Sequence, residues 1–473
     1  MSEHVERFYA EYSRALREGT AALFAGAGLS VPAGYVDWKK LLKPLADELR
    51  LDVEQETDLP ALAQFAVNEE GGNRTAVSQR ILEDLTRDVS LTESHGLLAR
   101  LPIRSVWTTN YDDLLEKAFA REGKRVDIKR RATGLSLTMP DADVTLYKMH
   151  GDITEPERAV ITKDDYESYN DGTRQLFTTT LQAELATKTF LFLGFSFTDT
   201  NLGSILGRVR GLLGNNNRRH FWIDKRKSGL ERRRQELQVG NLLRYGIRCV
   251  LVDDYAEIPR MLGTLQQRAR LNNVFISGTI GDPGVMGQER LEQFAMALSG
   301  RLVRKGYSVF SGFGRGLGES IYAGAFKVLR EPRSGTPRGR MELCPMPRGL
   351  PEAERPAAYT AWRTQVIRQT GFSIILCGNR WDDAGKLFVG PGIREEFDIA
   401  RREGCRPIPV AATGHGAAAS GAVELWKELM GKLDTFYPEG GVEPFFQVLG
   451  DLGKSNEELL EAIFGIIQRV SQP

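Results

Sequence analysis

The sequence predicts an α/β chain with parallel sheets, arranged as two domains. Three observations lead there. Short apolar runs that read as buried strands alternate with stretches of helical periodicity along the whole chain. Several of those runs end on glycine or on a short polar string, as strands feeding a ligand-binding edge do. The alternation then starts afresh near residue 273, after a helix that closes over residues 265–270. At 473 residues the chain is too long for one compact core and suits two domains.

In the first half, strands are expected at 21–25, 105–109, 144–149, 189–195, 220–224 and 248–252. Between the first two, residues 38–49, 59–67 and 76–85 carry helical patterns, which predicts a helical insertion after the first strand. The domains are expected to span 1–272 and 273–473. In the second, strands are expected at 274–278, 307–311, 373–377 and 407–411, and a last helix at 456–470. Leu291, Phe294, Ala295, Leu298 and Leu302 recur at helical spacing. The basic stretch 330–340 reads as an exposed loop.

Composition excludes several classes. Hydrophobic content of 41% and charged content of 26% are ordinary for a globular chain. A net charge of +1 gives no electrostatic reason to expect nucleic acid or an anionic membrane as partner. No apolar stretch approaches the roughly 20 residues that cross a bilayer. Residues 1–7 are charged and lack a hydrophobic signal core, so a cytoplasmic location is expected. Cys249, Cys344, Cys377 and Cys405 are far apart with no C-x-x-C pair, which argues against a zinc site on paired thiolates; no metal is expected. Cys249 and Cys377 fall in apolar runs and read as inert core thiols.

Three strings carry the chemistry of the first half. Gly26-Ala27-Gly28-Leu29-Ser30 follows the first strand, and small residues there let backbone N–H groups approach a diphosphate. A purely structural tight turn would look the same. The full G-x-G-x-x-G pattern is absent, because Val31 stands three residues after Gly28, and this disfavours a dehydrogenase-type site. Thr108-Thr109-Asn110-Tyr111-Asp112 puts Asn110 at a strand end, where its amide can orient a ribose hydroxyl or an attacking water. Asp112 reads equally as the cap of the following helix or as a ligand contact. Lys148-Met149-His150-Gly151-Asp152 closes another strand. A lone histidine there is commonly structural, but facing a nucleotide site across from Asn110 it is a general-base candidate.

In the second half, Ser277-Gly278 ends one strand. Ser311-Gly312-Phe313-Gly314-Arg315-Gly316-Leu317-Gly318 ends the next and leads into a helix, a good anion cradle. Arg363, Arg380 and Glu396 add a second ring of contacts, although taken singly each reads as a solvated surface charge.

These residues resemble the sirtuin family. Gly26-Ala27-Gly28-Leu29-Ser30 is similar to its phosphate loop, Asn110-Tyr111-Asp112 to its asparagine-x-aspartate signature and His150-Gly151 to its histidine–glycine signature. Gly194-Phe195-Ser196 resembles the small-residue turn near the NAD ribose. The resemblance implies NAD+ as substrate, Asn110 and His150 as the catalytic pair, and Gly26, Ala27, Gly28, Ser30, Asp112, Gly194 and Ser196 around it. Two family features are missing. No cysteine precedes Cys249, so the four-cysteine zinc module has no counterpart. Gly34-Tyr35-Val36-Asp37-Trp38-Lys39 replaces the Gly-Ile-Pro-Asp-Phe-Arg loop, so acyl-lysine peptides are not the expected substrates.

The second half resembles the SLOG family of Rossmann-like domains that bind nucleotide-derived ligands. The Pro-Gly-Gly-x-Gly-Thr motif of related enzymes here reads Gly390-Pro391-Gly392-Ile393-Arg394-Glu395-Glu396, which favours a binding domain over a second catalytic centre. A sirtuin-like domain followed by a SLOG domain resembles the effector family of the bacterial Thoeris anti-phage system. That resemblance implies two Rossmann-like domains, the first with the helical insertion, and a nicotinamide-releasing NAD+ hydrolase that depletes NAD to halt infected cells. It implies activation by a cyclic ADP-ribose isomer held by Gly278, Ser311, Gly312, Gly314, Arg363, Arg380 and Glu396. It further implies a TIR-domain partner protein that makes the signal, and a homo-oligomer, tetrameric or larger. Two other readings are a zinc-free deacylase or ADP-ribosyltransferase, which modified-peptide turnover would reveal, and a non-catalytic NAD sensor, which would bind NAD without releasing nicotinamide.

Overall fold

A computed structural model describes residues 3–471 apart from 171, 173, 198, 215 and 332–339. The central eight residues of the basic stretch 330–340 therefore lie outside the described residues. The chain divides into two compact units, Met1–Ala269 and Arg270–Pro473.

The first unit is built on a parallel sheet of seven strands: β1 (Ala21–Ala25), β2 (Ser105–Thr108), β3 (Val126–Lys129), β4 (Val144–Lys148), β5 (Thr189–Leu193), β6 (His220–Lys225) and β7 (Ile247–Val252). Their order is β3-β4-β2-β1-β5-β6-β7. Every residue of β1 and β5 is buried, which is why both read as unbroken apolar runs. Leu23 and Ala25 join a core with Phe8, Tyr12 and Leu16 of the helix Glu3–Glu18, while Ala22 and Phe24 face Phe177, Leu181 and Leu185 of the helix Gln175–Thr187. Helices thus cover both faces of the sheet, as the two-residue period of a strand demands.

The chain builds from β1 to one side of the sheet and then returns to the other through β5. The crevice outside the carboxyl ends of β1 and its two neighbours is where open parallel sheets take ligands. Helices Trp38–Glu48, Leu59–Glu69 and Thr75–Leu85 form the insertion after β1. Asp37 and Asp58 cap the first two by accepting N–H bonds from Lys40 and Ala61. Leu42, Leu45, Leu62 and Ile81 pack with Tyr111 and Ile161, so the insertion rests on the loops that follow β2 and β4.

The second unit has a parallel sheet of β8 (Asn273–Thr279), β9 (Ser308–Ser311), β10 (Met341–Leu343), β11 (Phe372–Cys377) and β14 (Arg406–Val410), in the order β10-β9-β8-β11-β14. A two-stranded antiparallel ribbon, β12 (Asn379–Trp381) with β13 (Leu387–Val389), follows β11. Val274, Ile276, Ile374 and Leu376 are buried with Leu291, Phe294, Leu298 and Leu302 of the helix Gln288–Arg304 and with the last helix, Asn456–Ser471. Both units are Rossmann-like.

Three strands of the first unit are shorter than expected. The strand expected at 189–195 ends at Leu193 because Gly194 turns the chain with φ +66°. The strands expected at 105–109 and 144–149 end at Thr108 and Lys148. The short edge strands β3 and β10 and the β12–β13 ribbon did not show in the sequence pattern.

Candidate functional site

The loop after β1 and the turn after β5 are locked together. Gly26 N–H donates to the Leu193 carbonyl and Gly28 N–H to the Gly194 carbonyl, both at 2.9 Å. A Cβ on Gly26 would stand 2.5 Å from the Gly194 oxygen, and one on Gly194 would stand 2.3 Å from Leu29 N. Glycine at 26, 28 and 194 is therefore what lets the two segments touch. The N–H groups of Gly26 and Gly28 are spent on that contact. Ala27 begins a short 3-10 turn, Ala27–Leu29, and Ser196 is exposed beyond Gly194.

Asn110 lies across this loop and is 9% exposed. Its Nδ2 donates to the Gly26 carbonyl at 3.1 Å and to Ser30 Oγ at 3.0 Å. Ser30 in turn donates to Asp112 Oδ2 at 2.7 Å, while Asp112 Oδ1 accepts the Leu114 N–H at 3.1 Å. Asp112 thus binds the first N–H of the helix Leu114–Arg121, whose N-cap position is Asp113, and it also holds Ser30. With both amide hydrogens used, Asn110 Oδ1 is left buried with no hydrogen-bond partner among the described residues. A buried acceptor without a donor is costly unless a ligand supplies one.

His150 ends the segment after β4 and is 2% exposed. The carbonyl before it, on Met149, accepts from Tyr169 Oη at 3.0 Å and Arg174 Nη1 at 2.6 Å, and its own carbonyl accepts the Val160 N–H at 2.7 Å. Tyr166 and Tyr169 set their rings edge-on to the imidazole, with centroids 5.5 and 5.9 Å away. His150 Nε2 is buried and has no hydrogen-bond partner among the described residues. Asp199 Oδ2 stands 3.6 Å from it. Burial pushes the His150 pKa down, Asp199 pulls it up, and Arg174 pushes it down again, leaving a net depression. The ring is therefore neutral near pH 7 and able to accept a proton.

Two neighbours escaped the sequence reading. Lys148 is fully buried, and its Nζ donates to the carbonyls of Tyr111 at 3.1 Å and Asp112 at 2.6 Å. Glu116 at 2.8 Å and Asp152 at 2.6 Å balance its charge. This ammonium ties the loop carrying Asn110 to the end of β4, two residues before His150. Its only signal was a lysine inside an otherwise apolar strand. Asp199 gave less: it is the N-cap of the helix Thr200–Leu213, and nothing in the chain order links it to His150.

In the second unit, Gly278 and Ser311 fall at the carboxyl ends of β8 and β9, on one edge of the sheet. A Cβ on Gly314 would meet the Gly278 oxygen at 2.2 Å, and one on Gly312 the Trp362 ring at 2.8 Å, so this loop too is closely packed. The reading of Arg363 and Glu396 as solvated charges is corrected: they are 8% and 6% exposed. Arg363 bonds Glu395 at 2.6 Å and Glu396 at 3.4 Å, because the helix Arg355–Ile367 lies beside the helix Pro391–Arg402. Ser277 donates to the other Glu396 oxygen. Burial raises the Glu396 pKa, and Ser277 and Arg363 oppose it. Arg380 lies on β12, exposed, with its guanidinium 4.8 Å above the Phe388 ring.

Comparison with known proteins agrees with this architecture. The family model for the SIR2-like domain matches residues 104–249, and that of the Sir2- and TIR-associating SLOG family matches residues 257–470. The chain is therefore a sirtuin-like domain joined to a SLOG-type domain. It is 38% identical to the NAD(+) hydrolase ThsA of Bacillus cereus, over 100% of this chain and 99% of that protein. It is 37% identical to the NAD(+) hydrolase ThsA of Acinetobacter baumannii, over 98% of this chain and 97% of that one. Defense-associated sirtuin 2 of Bacillus subtilis is 27% identical over 47% of this chain and 22% of its own length. The chain belongs to the ThsA family.

Proposed function

We propose that the chain hydrolyses NAD+ at the nicotinamide–ribose bond in its first unit, under control of a nucleotide signal bound by its second. Full-length similarity to proteins named NAD(+) hydrolase supports the chemistry. The observation that carries the site is the buried, unpartnered acceptor Asn110 Oδ1 together with the buried imidazole of His150, at the carboxyl edge of one sheet.

The nicotinamide ribose lies against Asn110, whose Oδ1 takes a hydrogen from a ribose hydroxyl or from the attacking water. The loop from Gly26 to Ser30 and the Gly194–Ser196 turn line the rest of the dinucleotide. Nicotinamide leaves as a neutral base, so the C1′–N bond breaks towards an oxocarbenium-like centre and positioning does most of the catalysis. Water adds at C1′, and its proton passes to His150. The products are nicotinamide, ADP-ribose and a proton.

The reading extends to regulation. A cyclic ADP-ribose isomer, made by a TIR-domain partner, binds the second unit around Gly278, Ser311, Gly312, Gly314, Arg363, Arg380 and Glu396. The description of the matched SLOG family supports the TIR association. Binding must favour the active arrangement over the inactive one, whether within a chain or in a homo-oligomer. The setting is cytoplasmic anti-phage defence by NAD depletion. No described helix is long and apolar enough to cross a membrane, which accords with that setting.

The test is nicotinamide release from NAD+ by the purified chain, with and without cyclic ADP-ribose isomers. Release that rises with one isomer is the expected result, and it disappears in His150→Ala and Asn110→Ala. No release under any condition would overturn the reading.

A further inference from the structure

Asp199 turns its two oxygens to different partners. Oδ1 accepts the Leu202 N–H at 2.8 Å, the N-cap bond of the helix it opens. Oδ2 accepts the Tyr166 hydroxyl at 3.1 Å and stands 3.6 Å from His150 Nε2. That nitrogen is buried and has no hydrogen-bond partner among the described residues. We propose that Asp199 is a positioning residue for NAD+ cleavage: its carboxylate fixes the ring and tautomer of His150 and faces the imidazolium that forms, while Tyr166 shares the same oxygen. This rests on the hydrolase reading above.

The chemistry follows from what each group can donate. A carboxylate only accepts, so the single N–H of a neutral imidazole belongs at Nε2, facing Asp199, and Nδ1 keeps its lone pair. A small rotation of the ring closes 3.6 Å to a hydrogen bond. When Nδ1 takes the proton of the water or ribose hydroxyl, positive charge develops on a buried ring. There an ionised carboxylate a few ångströms away is worth far more than it would be in water.

The other groups around the ring are differently engaged. Arg174 is bound to the carbonyls of Met149 and Arg158 and opposes a positive ring. Asp165 is paired with Arg74 at 2.6 Å and closes the capping box of Thr162. Tyr166 and Tyr169 offer ring edges. Asp199 is the one carboxylate facing His150 at ion-pair range among the described residues.

Two variants separate this role from a structural one. Asp199→Asn keeps an equally good N-cap while removing the charge. Tyr166→Phe removes the hydroxyl that shares Oδ2, leaving that oxygen wholly to His150. Both are read by the titration of His150 in histidine-labelled protein, its signal assigned by loss in His150→Gln, and by the pH dependence of kcat. The base must be neutral, so the rate falls as pH drops through the His150 pKa. Removing the carboxylate lowers that pKa, and the acid limb then moves to lower pH in Asp199→Asn. Freeing Oδ2 raises it, and the limb moves to higher pH in Tyr166→Phe. Asp199→Asn is expected to lower kcat about 10- to 100-fold with KM within about threefold.

Opposite shifts establish the positioning role. Unmoved titrations, shifts of the same sign, or a loss of kcat that accompanies only a lower melting temperature would overturn it. If the unaltered chain releases no nicotinamide, the hydrolase reading fails separately, and the two His150 titrations still decide whether Asp199 and Tyr166 govern this imidazole.

Discussion

Single residues on this edge act through what they leave unpaired. Asn110 spends both amide hydrogens on Gly26 and Ser30 and so presents a bare acceptor. Lys148 is the opposite case, a fully buried donor with every hydrogen claimed. It neutralises Glu116, whose pKa burial raises, and Asp152, whose carboxyl Lys148 and Thr154 keep low in spite of burial. Removing one member of such a cluster leaves uncompensated charge, which costs about 3–5 kcal/mol. Lys148→Met should therefore lose stability on that scale in urea titration. Adding Glu116→Gln should return part of it, because one stranded carboxylate becomes a neutral amide. Turnover should stay low in the double variant, since the carbonyls of Tyr111 and Asp112 have lost the ammonium that held the Asn110 loop. Wild-type stability in Lys148→Met would mean that the cluster is solvated and does not tie the two strands. Asn110 and His150 were legible as candidates because each ends an apolar run. Lys148 and Asp199 were not, because the contacts that matter, with Tyr111, Asp112 and Glu116 for Lys148 and with Tyr166 and His150 for Asp199, come from segments far away in sequence.

At the scale of elements, the glycines divide into two kinds. Gly194 has φ +66° and would bring a Cβ to 2.3 Å from Leu29 N, so the contact between the β1 loop and the β5 turn exists only without a side chain. Gly207, on the helix Thr200–Leu213, has nothing within 4 Å of an added Cβ and an ordinary helical backbone. Alanine should then act with opposite signs at the two positions. Gly194→Ala should lower the melting temperature and abolish nicotinamide release, since the loop after β1 is pushed off its seat. Gly207→Ala should leave release intact and add up to about 1 kcal/mol, the helix propensity of alanine over glycine. A Gly194→Ala protein that melts and turns over normally would show that the loop contact is adjustable. The same division explains what the sequence disclosed of the fold. β1, β5, β8 and β11 are buried on both faces and read as apolar runs. β3 escaped because its alternate positions are Asp127 and Lys129, a buried ion pair at 2.9 Å that looks like loop composition. β10 and the β12–β13 ribbon are three-residue segments, too short for any period to register.

At the scale of the whole molecule, each unit has cores of its own among the described residues. Phe8, Leu23, Leu191 and Leu262 belong to one hydrophobic cluster of the first unit, and Val274, Leu298, Phe372 and Ile463 to one of the second. Each unit is large enough to sustain a core without the other. Residues 1–269 and 270–473, made separately, should therefore each unfold cooperatively. A ligand that binds only the folded form raises its stability by RT ln(1 + [L]/Kd), about 2.7 kcal/mol at a hundredfold excess over Kd. A cyclic ADP-ribose isomer should then raise the melting temperature of 270–473 and leave 1–269 unmoved, while NAD+ should do the reverse. If the isomer instead stabilises 1–269, signal and substrate compete for one site, and the loop from Ser311 to Gly318 has another purpose. If each ligand finds its own fragment, regulation reduces to a coupling free energy between two sites that fold independently. The change in nicotinamide release when the isomer is added to the intact chain then measures what that coupling does to turnover.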